Sequence, residues 1–439
     1  GAMPFLAAAA GTREKNDMTW QPLLTGENRT TALHVVREVA SVLADPPTCW
    51  VPPGAKDEYI RVANATLGGG RAGIALLFGY LARIDPSEES YRVAARTLIA
   101  DSVSAAQTSV MGPSLFGGFA GVGWALRQLS AWDVVASDED AFDAIDEALA
   151  VYLDRQPWPL HNDLITGMTG IATYALDRLP HPRAAHCLQL IVRNFESCAD
   201  ETAEGIAWFT RPELLQPDSL RAAPHGYYNL GIAHGVPGIL SVLAATAAAG
   251  IEVERATRLV DGAVRWLLAL QYENGNFPYM TGPEVEVRPS RLAWCYGAPG
   301  IPTILYHAGT LLDRADWRDA AIAIAEWAAD VPAEQSGIED AGICHGAAGL
   351  AHMFNHLWQT TGNERLAAAA RRWFARVLAY RREGEGVAGY RAWNPDKNAP
   401  EPYLDEPGLL CGSAGIAAAL AAACTDVAPE WDRMFLMSA

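Results

Sequence analysis

The chain has 439 residues, half of them hydrophobic and 19% charged, which excludes wholesale disorder and supplies ample material for a core. Lys and Arg number 33 against 51 Asp and Glu, a formal charge of −18, so no nucleic-acid partner is expected and no basic face for anionic lipid. No apolar run reaches the roughly 18 residues that suggest a membrane span, so a cytoplasmic protein is expected, meeting membranes at most through partners.

Gly1-Ala2 ahead of Met3 reads as a tag remnant; residues 1–30 are expected to be poorly structured, with one domain over 31–430. From there one short pattern recurs: Gly-x-x-Gly followed by an Ala/Leu-rich run. Its second glycines are Gly73, Gly121, Gly170, Gly238, Gly300, Gly349 and Gly415, spaced 48 to 68 residues apart. Each run, such as Ile74 to Ala82 or Ile416 to Ala423, is apolar nearly all round, which predicts a helix buried on every side. Amphipathic stretches lie between them, for instance Tyr91 to Ala106, Asp316 to Ala329 and Arg365 to Tyr380. Each period then holds one inner and one outer helix. Seven such hairpins predict an all-α fold, an α/α toroid; an open helical solenoid is the alternative. The longer periods leave room for loop or short β insertions around residues 199–229, 272–293 and 384–408.

Seven cysteines in so long a chain do not suggest a disulfide framework. The repeats put them in register. The residue two before each first glycine is Gly68, Phe116, Ile165, Ala233, Cys295, Cys344 and Leu410; the next is Gly69, Gly117, Thr166, His234, Tyr296, His345 and Cys411. Adjacent repeats should therefore bring Cys295, Cys344 and His345 together at the mouth. Free cysteines are commonly small core residues, but this shared register points to one Zn²⁺ per chain, with three protein ligands and an open fourth position. Cys411 reads as packing or as a fourth ligand. His352 and His356, spaced i,i+4 without a neighbouring carboxylate, read as ordinary helix-face histidines. Asp163 has a bland role as a turn or helix cap, His234 as a core histidine, and Arg291 as a solvated loop cation. Beside a metal, the three look like an acid/base and anion-stabilising set.

The motifs Ala233-His234-Gly235-Val236-Pro237-Gly238, Trp294-Cys295-Tyr296-Gly297 and Cys344-His345-Gly346 resemble those of lanthionine synthetase C-like proteins, the lanthipeptide cyclases. The resemblance spans nearly the whole chain. It implies a seven-hairpin toroid with zinc on Cys295, Cys344 and His345, and with Asp163, His234, Arg291 and Tyr296 lining the site as catalytic residues. The implied reaction is intramolecular addition of a peptide Cys thiol to dehydroalanine or dehydrobutyrine, closing a thioether ring. The implied substrate is a dehydrated precursor peptide, leader plus core, made by a separate dehydratase, for which this chain leaves no room. Arg291 would meet the enolate, His234 would supply the proton with Asp163 orienting or charging it, and Tyr296 would position substrate. Three other readings remain: a related enzyme that adds glutathione to dehydroamino acids, a zinc-containing prenyltransferase-like toroid, and a toroid that only binds peptides.

Overall fold

The computed structural model describes residues 19–395 and 399–438. Seven apolar helices form its inner wall: Arg71–Ile84, Phe119–Ala131, Met168–Asp177, Val236–Ala248, Gly300–Leu311, Ala347–Thr361 and Ser413–Cys424. The last is buried along its whole length, which explains why its sequence has no polar face. Outer helices pack against the first six: Glu89–Thr108, Glu139–Leu153, Pro182–Cys198, Val253–Ala269, Ala315–Asp330 and Glu364–Tyr380. Each inner helix also packs on the next, and the seventh packs on the first. The ring is closed, and the fold is an α/α toroid.

The seventh inner helix has no outer partner downstream in the sequence. The chain's beginning provides it. Helix Gly26–Leu43 lays its buried stripe of Ala32, Val35, Val36, Val39, Ala40 and Leu43 against Ser413–Cys424. Ahead of it, Leu23 and Leu24 N–H donate to the Ala423 carbonyl at 2.9 and 2.8 Å, and Trp20 Nε1 donates to the Ala422 carbonyl at 2.8 Å. This corrects the expectation for residues 19–30, which are packed structure because they close the ring. The rest of that expectation, on residues 1–18, lies outside the described residues. The domain also runs past residue 430, as set out below.

The glycine pairs have a steric cause. A Cβ on the second glycine of a pair would overlap the carbonyl oxygen six residues earlier: Leu115 for Gly121, Ile343 for Gly349, Leu409 for Gly415. The entry strand of each repeat therefore runs directly against its own inner helix. Backbone hydrogen bonds join these entries around the mouth, except between the fourth and fifth, where Gly231 packs closely against the Cys295 carbonyl instead. Gly68 N–H donates to Phe116 O at 2.9 Å, Phe116 to Ile165 at 3.4 Å and Leu164 to Ala233 at 3.1 Å. Further round, Cys295 donates to Cys344 at 3.1 Å, Cys344 to Leu410 at 2.9 Å, and Leu410 to Gly68 at 2.9 Å. The register in which the cysteines fall is thus a physical ring of backbone.

Three insertions carry strands. β1 (Ala199–Glu201), β2 (Ile206–Thr210), β3 (Tyr227–Asn229) and β4 (Met280–Thr281) form one antiparallel sheet in that order. The stretches 199–229 and 272–293 therefore combine, rather than each forming its own hairpin. β5 (Ala392–Trp393) pairs with β6 (Tyr403–Leu404) in the third insertion. Among the described residues no helix is long and apolar enough to cross a membrane.

The chain's end fills the lumen. A 3₁₀ turn, Glu430–Phe435, buries Trp431, Asp432, Met434 and Phe435 completely. Trp294 Nε1 donates to the Phe435 carbonyl at 2.8 Å, and the two rings meet edge to face at 5.1 Å. Asp432 Oδ2 accepts from His352 Nε2 at 2.7 Å and from His356 Nε2, while Ser438 Oγ donates to its other oxygen at 2.6 Å. The two histidines expected to be ordinary are thus a buried lock for the plug, and their carboxylate arrives from 76 to 80 residues away. Their protons hold the Asp432 carboxyl far below the ordinary range against burial, the largest opposing influence. Burial in turn lowers His352. Both depressions act with one sign: stability is present above the unfolded-state values and is lost as pH falls below them. Asp432→Ala, which breaks this buried set, should cost about 3–5 kcal/mol, measured by guanidinium unfolding at neutral pH.

Candidate active site

Cys295, Cys344 and His345 converge at the mouth, each presenting one ligand atom, all within 4.8 Å of one another. The backbone bond from Cys295 N–H to Cys344 O sets the two thiols side by side. His345 Nε2 faces the Trp393 carbonyl at 3.2 Å, which leaves Nδ1 as the nitrogen free to bind an ion. Two sulfurs and one imidazole suit a borderline-soft cation. Bonds of about 2.3 Å to sulfur and 2.0–2.1 Å to nitrogen are compatible with this spread of ligand atoms. The Cys411 thiol reaches Cys344 from the next repeat but does not join the three mutually close atoms.

Two other groups among the described residues bring three such side chains together. Neither offers a comparable cradle. In the Asp143–Asp146–His181 group, the Arg178 guanidinium donates to Asp143 at 3.4 Å and to Asp146 at 3.1 Å, so a cation is already there. In the Asp432 group, His352 and the carboxylate are at hydrogen-bond distance, 2.7 Å, closer than the roughly 3.3 Å separating two ligands of one tetrahedral ion at 2.0–2.1 Å.

Beside the thiols stands a carboxylate–imidazole pair. His234 Nδ1 and Asp163 Oδ2 are 2.7 Å apart, and the other Asp163 oxygen accepts from the Thr166 N–H at 2.8 Å and hydroxyl at 3.0 Å. Asp163 is buried, whereas the His234 side chain is 43% exposed, so the imidazole opens to the mouth with its orientation fixed from behind. Burial works against both charges, and their hydrogen bond and mutual attraction overcome it. The Asp163 carboxyl stays below its ordinary value and the His234 imidazole is held above its own.

Arg291 and Tyr296 complete the wall. Arg291 N–H and Nε both donate to the Tyr279 hydroxyl at 3.0 Å, and the guanidinium carbon lies 4.6 Å from the Trp393 ring centroid. The Tyr296 hydroxyl accepts from Asn229 Nδ2 at 2.9 Å, and its ring meets Tyr279 at 5.0 Å. Hydrogen bonding from Cys344 is the main influence holding the Cys295 thiol below its ordinary value; Arg291 and His234 add to it against burial. Repeat five departs from the others here. Its first glycine, Gly297, has φ +74, and the helix starts only at Gly300. A side chain at Gly297 would be strained by φ and would also overlap the Arg291 carbonyl.

With this geometry in place, the comparison with known proteins is decisive for family. The family profile described as lanthionine synthetase C-like protein matches residues 61–436. The chain belongs to that family. It is 27% identical over 320 residues to the nisin biosynthesis protein NisC of Lactococcus lactis subsp. lactis, covering 67% of this chain and 73% of that protein. It is 29% identical over 136 residues to the glutathione S-transferase LANCL1 of Danio rerio, covering 30% of this chain and 31% of that one. The solved structure of nisin cyclase matches with a TM-score of 0.72 at 19% identity, over 93% of this chain and 97% of that chain. That likeness is one of fold.

The seven residues singled out from the sequence thus lie in one region, which also contains residues that reading passed over. Asp340 Oδ2 accepts the Trp393 N–H at 2.7 Å and lies 3.6 Å from His345 Nε2. A third register locates it. The residue six before each first glycine is Asn64, Gly112, His161, Asn229, Arg291, Asp340 and Glu406, six of the seven polar. In several repeats its carbonyl accepts the N–H of the inner helix's first residue: Gly112 from Phe119 at 2.9 Å, His161 from Met168 at 3.1 Å, Asp340 from Ala347 at 2.9 Å and Glu406 from Ser413 at 3.1 Å. Trp393 and Tyr279, from insertions outside the repeat, carry no such signal.

Proposed function

We propose that this protein is a zinc-dependent lanthipeptide cyclase that closes thioether rings in a dehydrated precursor peptide, in the cytoplasm, after a separate dehydratase has acted. The observation that carries the reading is the convergence of a Cys-Cys-His ligand set, an exposed imidazole held by a buried carboxylate, and a guanidinium at one mouth. Family membership and the names of its relatives, nisin biosynthesis protein and nisin cyclase, support it.

A zinc on Cys295, Cys344 and His345 would supply Lewis acidity at an open position, where a peptide thiol is deprotonated at neutral pH. The chain's own groups serve the rest of the reaction. As the peptide sulfur bonds to the β-carbon of the dehydroamino acid, the Cα–Cβ π pair moves toward the carbonyl and builds negative charge on its oxygen. Arg291, anchored by Tyr279 and Trp393, is a fixed cation for that charge. His234, whose protonated form Asp163 favours, delivers the proton to Cα through Nε2, the ring nitrogen not engaged by Asp163. Tyr296, pinned by Asn229, walls the substrate.

The test is incubation of the zinc-loaded protein with a dehydrated, Cys-containing precursor. Free thiol should disappear well above the uncatalysed rate with no change in mass, since the addition is intramolecular. Persistence of the thiol sinks the reading. With glutathione present, a product heavier by one glutathione would instead favour the activity named for the zebrafish relative.

A further inference from the structure

Trp393 stands between the metal set and the anion-stabilising cation, on a hairpin outside the seven repeats. Four contacts converge on it. Its backbone N–H donates to Asp340 Oδ2 at 2.7 Å. Its carbonyl meets His345 Nε2 at 3.2 Å. Its indole stands edge-on to the His345 ring at 5.6 Å and 77°. The same indole carries the Arg291 guanidinium, 4.6 Å from the centroid. Asp340 is itself fixed, its other oxygen accepting the Gly342 N–H at 3.1 Å in the turn that leads to Cys344.

The geometry points to Asp340 and Trp393 as a positioning clamp. Asp340 anchors the Trp393 backbone, the Trp393 carbonyl fixes which His345 nitrogen is offered to the metal, and the Trp393 indole aims Arg291 at the reacting carbonyl. This inference rests on the cyclase reading for Arg291, but on metal binding alone for His345. The chemistry supports both halves. A ligating imidazole whose second N–H donates to a fixed carbonyl or carboxylate is locked in tautomer and orientation. A guanidinium over an indole is attracted by the ring's quadrupole and loses little of its donor fork, so it can still bond an oxygen. Asp340 is 2% exposed, so its carboxylate is committed to holding this turn and hairpin rather than to meeting substrate.

The two halves separate experimentally. Zinc affinity, read by chelator competition, should fall about 10–100-fold in Asp340→Ala. Asp340→Asn, which keeps an oxygen for the Trp393 N–H, should restore most of it. The Co²⁺-substituted Asp340→Ala protein should show an altered d–d spectrum, a change that loss of general stability would not produce. Trp393→Leu keeps the backbone contacts, so it should bind zinc like the parent but lower kcat; Trp393→Phe, which keeps a ring under Arg291, should recover activity. In combination with Arg291→Gln, Trp393→Leu should add little further loss, because the cation it aims is gone. Wild-type zinc affinity in Asp340→Ala overturns the first half. Fully additive losses in the Trp393→Leu, Arg291→Gln pair overturn the second. If the parent protein closes no rings while the zinc results hold, the cyclase reading fails and the metal clamp stands.

Discussion

Changing Cys295, Cys344 or His345 to alanine, one at a time, should strip the metal and leave the helical fold standing. Each substitution reduces three protein ligands to two, too few to retain an ion that also needs an open position. The fold does not depend on them. Its inner helices are buried on all sides, its first and seventh repeats close through Gly26–Leu43 and Ser413–Cys424, and its lumen is filled by Trp431 and Phe435. Elemental analysis should find about one zinc per chain in the parent and well under that in each variant, with unchanged far-ultraviolet circular dichroism. Full zinc in all three variants refutes the site. Cys411→Ala separates the neighbouring thiol: it reaches Cys344 but not the three-atom set, so this variant should keep its metal. Loss of metal there would make Cys411 a ligand.

The toroid and the convergence of Cys295, Cys344 and His345 were legible from the sequence for the same reason. The Gly-x-x-Gly pattern marks where an entry strand crosses its own helix too closely for a Cβ, and that constraint recurs in every repeat. Positions counted back from it therefore occupy equivalent places on a backbone ring, which is why Cys295 and Cys344 could be predicted to meet. Where the chain leaves the repeat, that inference stops. The role of Gly26–Leu43 follows from a missing partner at the other end of the chain, not from any local feature of residues 19–30. Asp432 meets His352 and His356 only because the C-terminal turn threads the lumen, a topology that i,i+4 spacing cannot reveal. Asp340 lay in a readable register, but its partner Trp393 sits on an insertion whose pairing no periodicity announces.

His234→Asn and Asp163→Asn should retain zinc yet slow ring closure, since neither side chain belongs to the three-atom ligand set. General acid/base groups contribute about 10²–10⁴-fold, and His234→Asn should lose that much. Asp163→Asn keeps a hydrogen-bond acceptor for His234 Nδ1 but removes the charge that holds the imidazole above its ordinary value. Its loss should therefore depend on pH. A raised imidazole keeps its proton to higher pH than an ordinary one, and its contribution as an acid disappears as pH rises through the folded-state value. Without the Asp163 charge that value falls, so the alkaline limb of kcat should move to lower pH in Asp163→Asn. In His234→Asn the limb should vanish, leaving the metal-assisted addition with water as the proton source. Because the reaction leaves mass unchanged, the rate must be followed by loss of free thiol or by fragmentation of the product. If both variants close rings at the parent rate with chemistry limiting, water rather than His234 protonates the enolate, and the pair's 2.7 Å contact serves only to hold the mouth together.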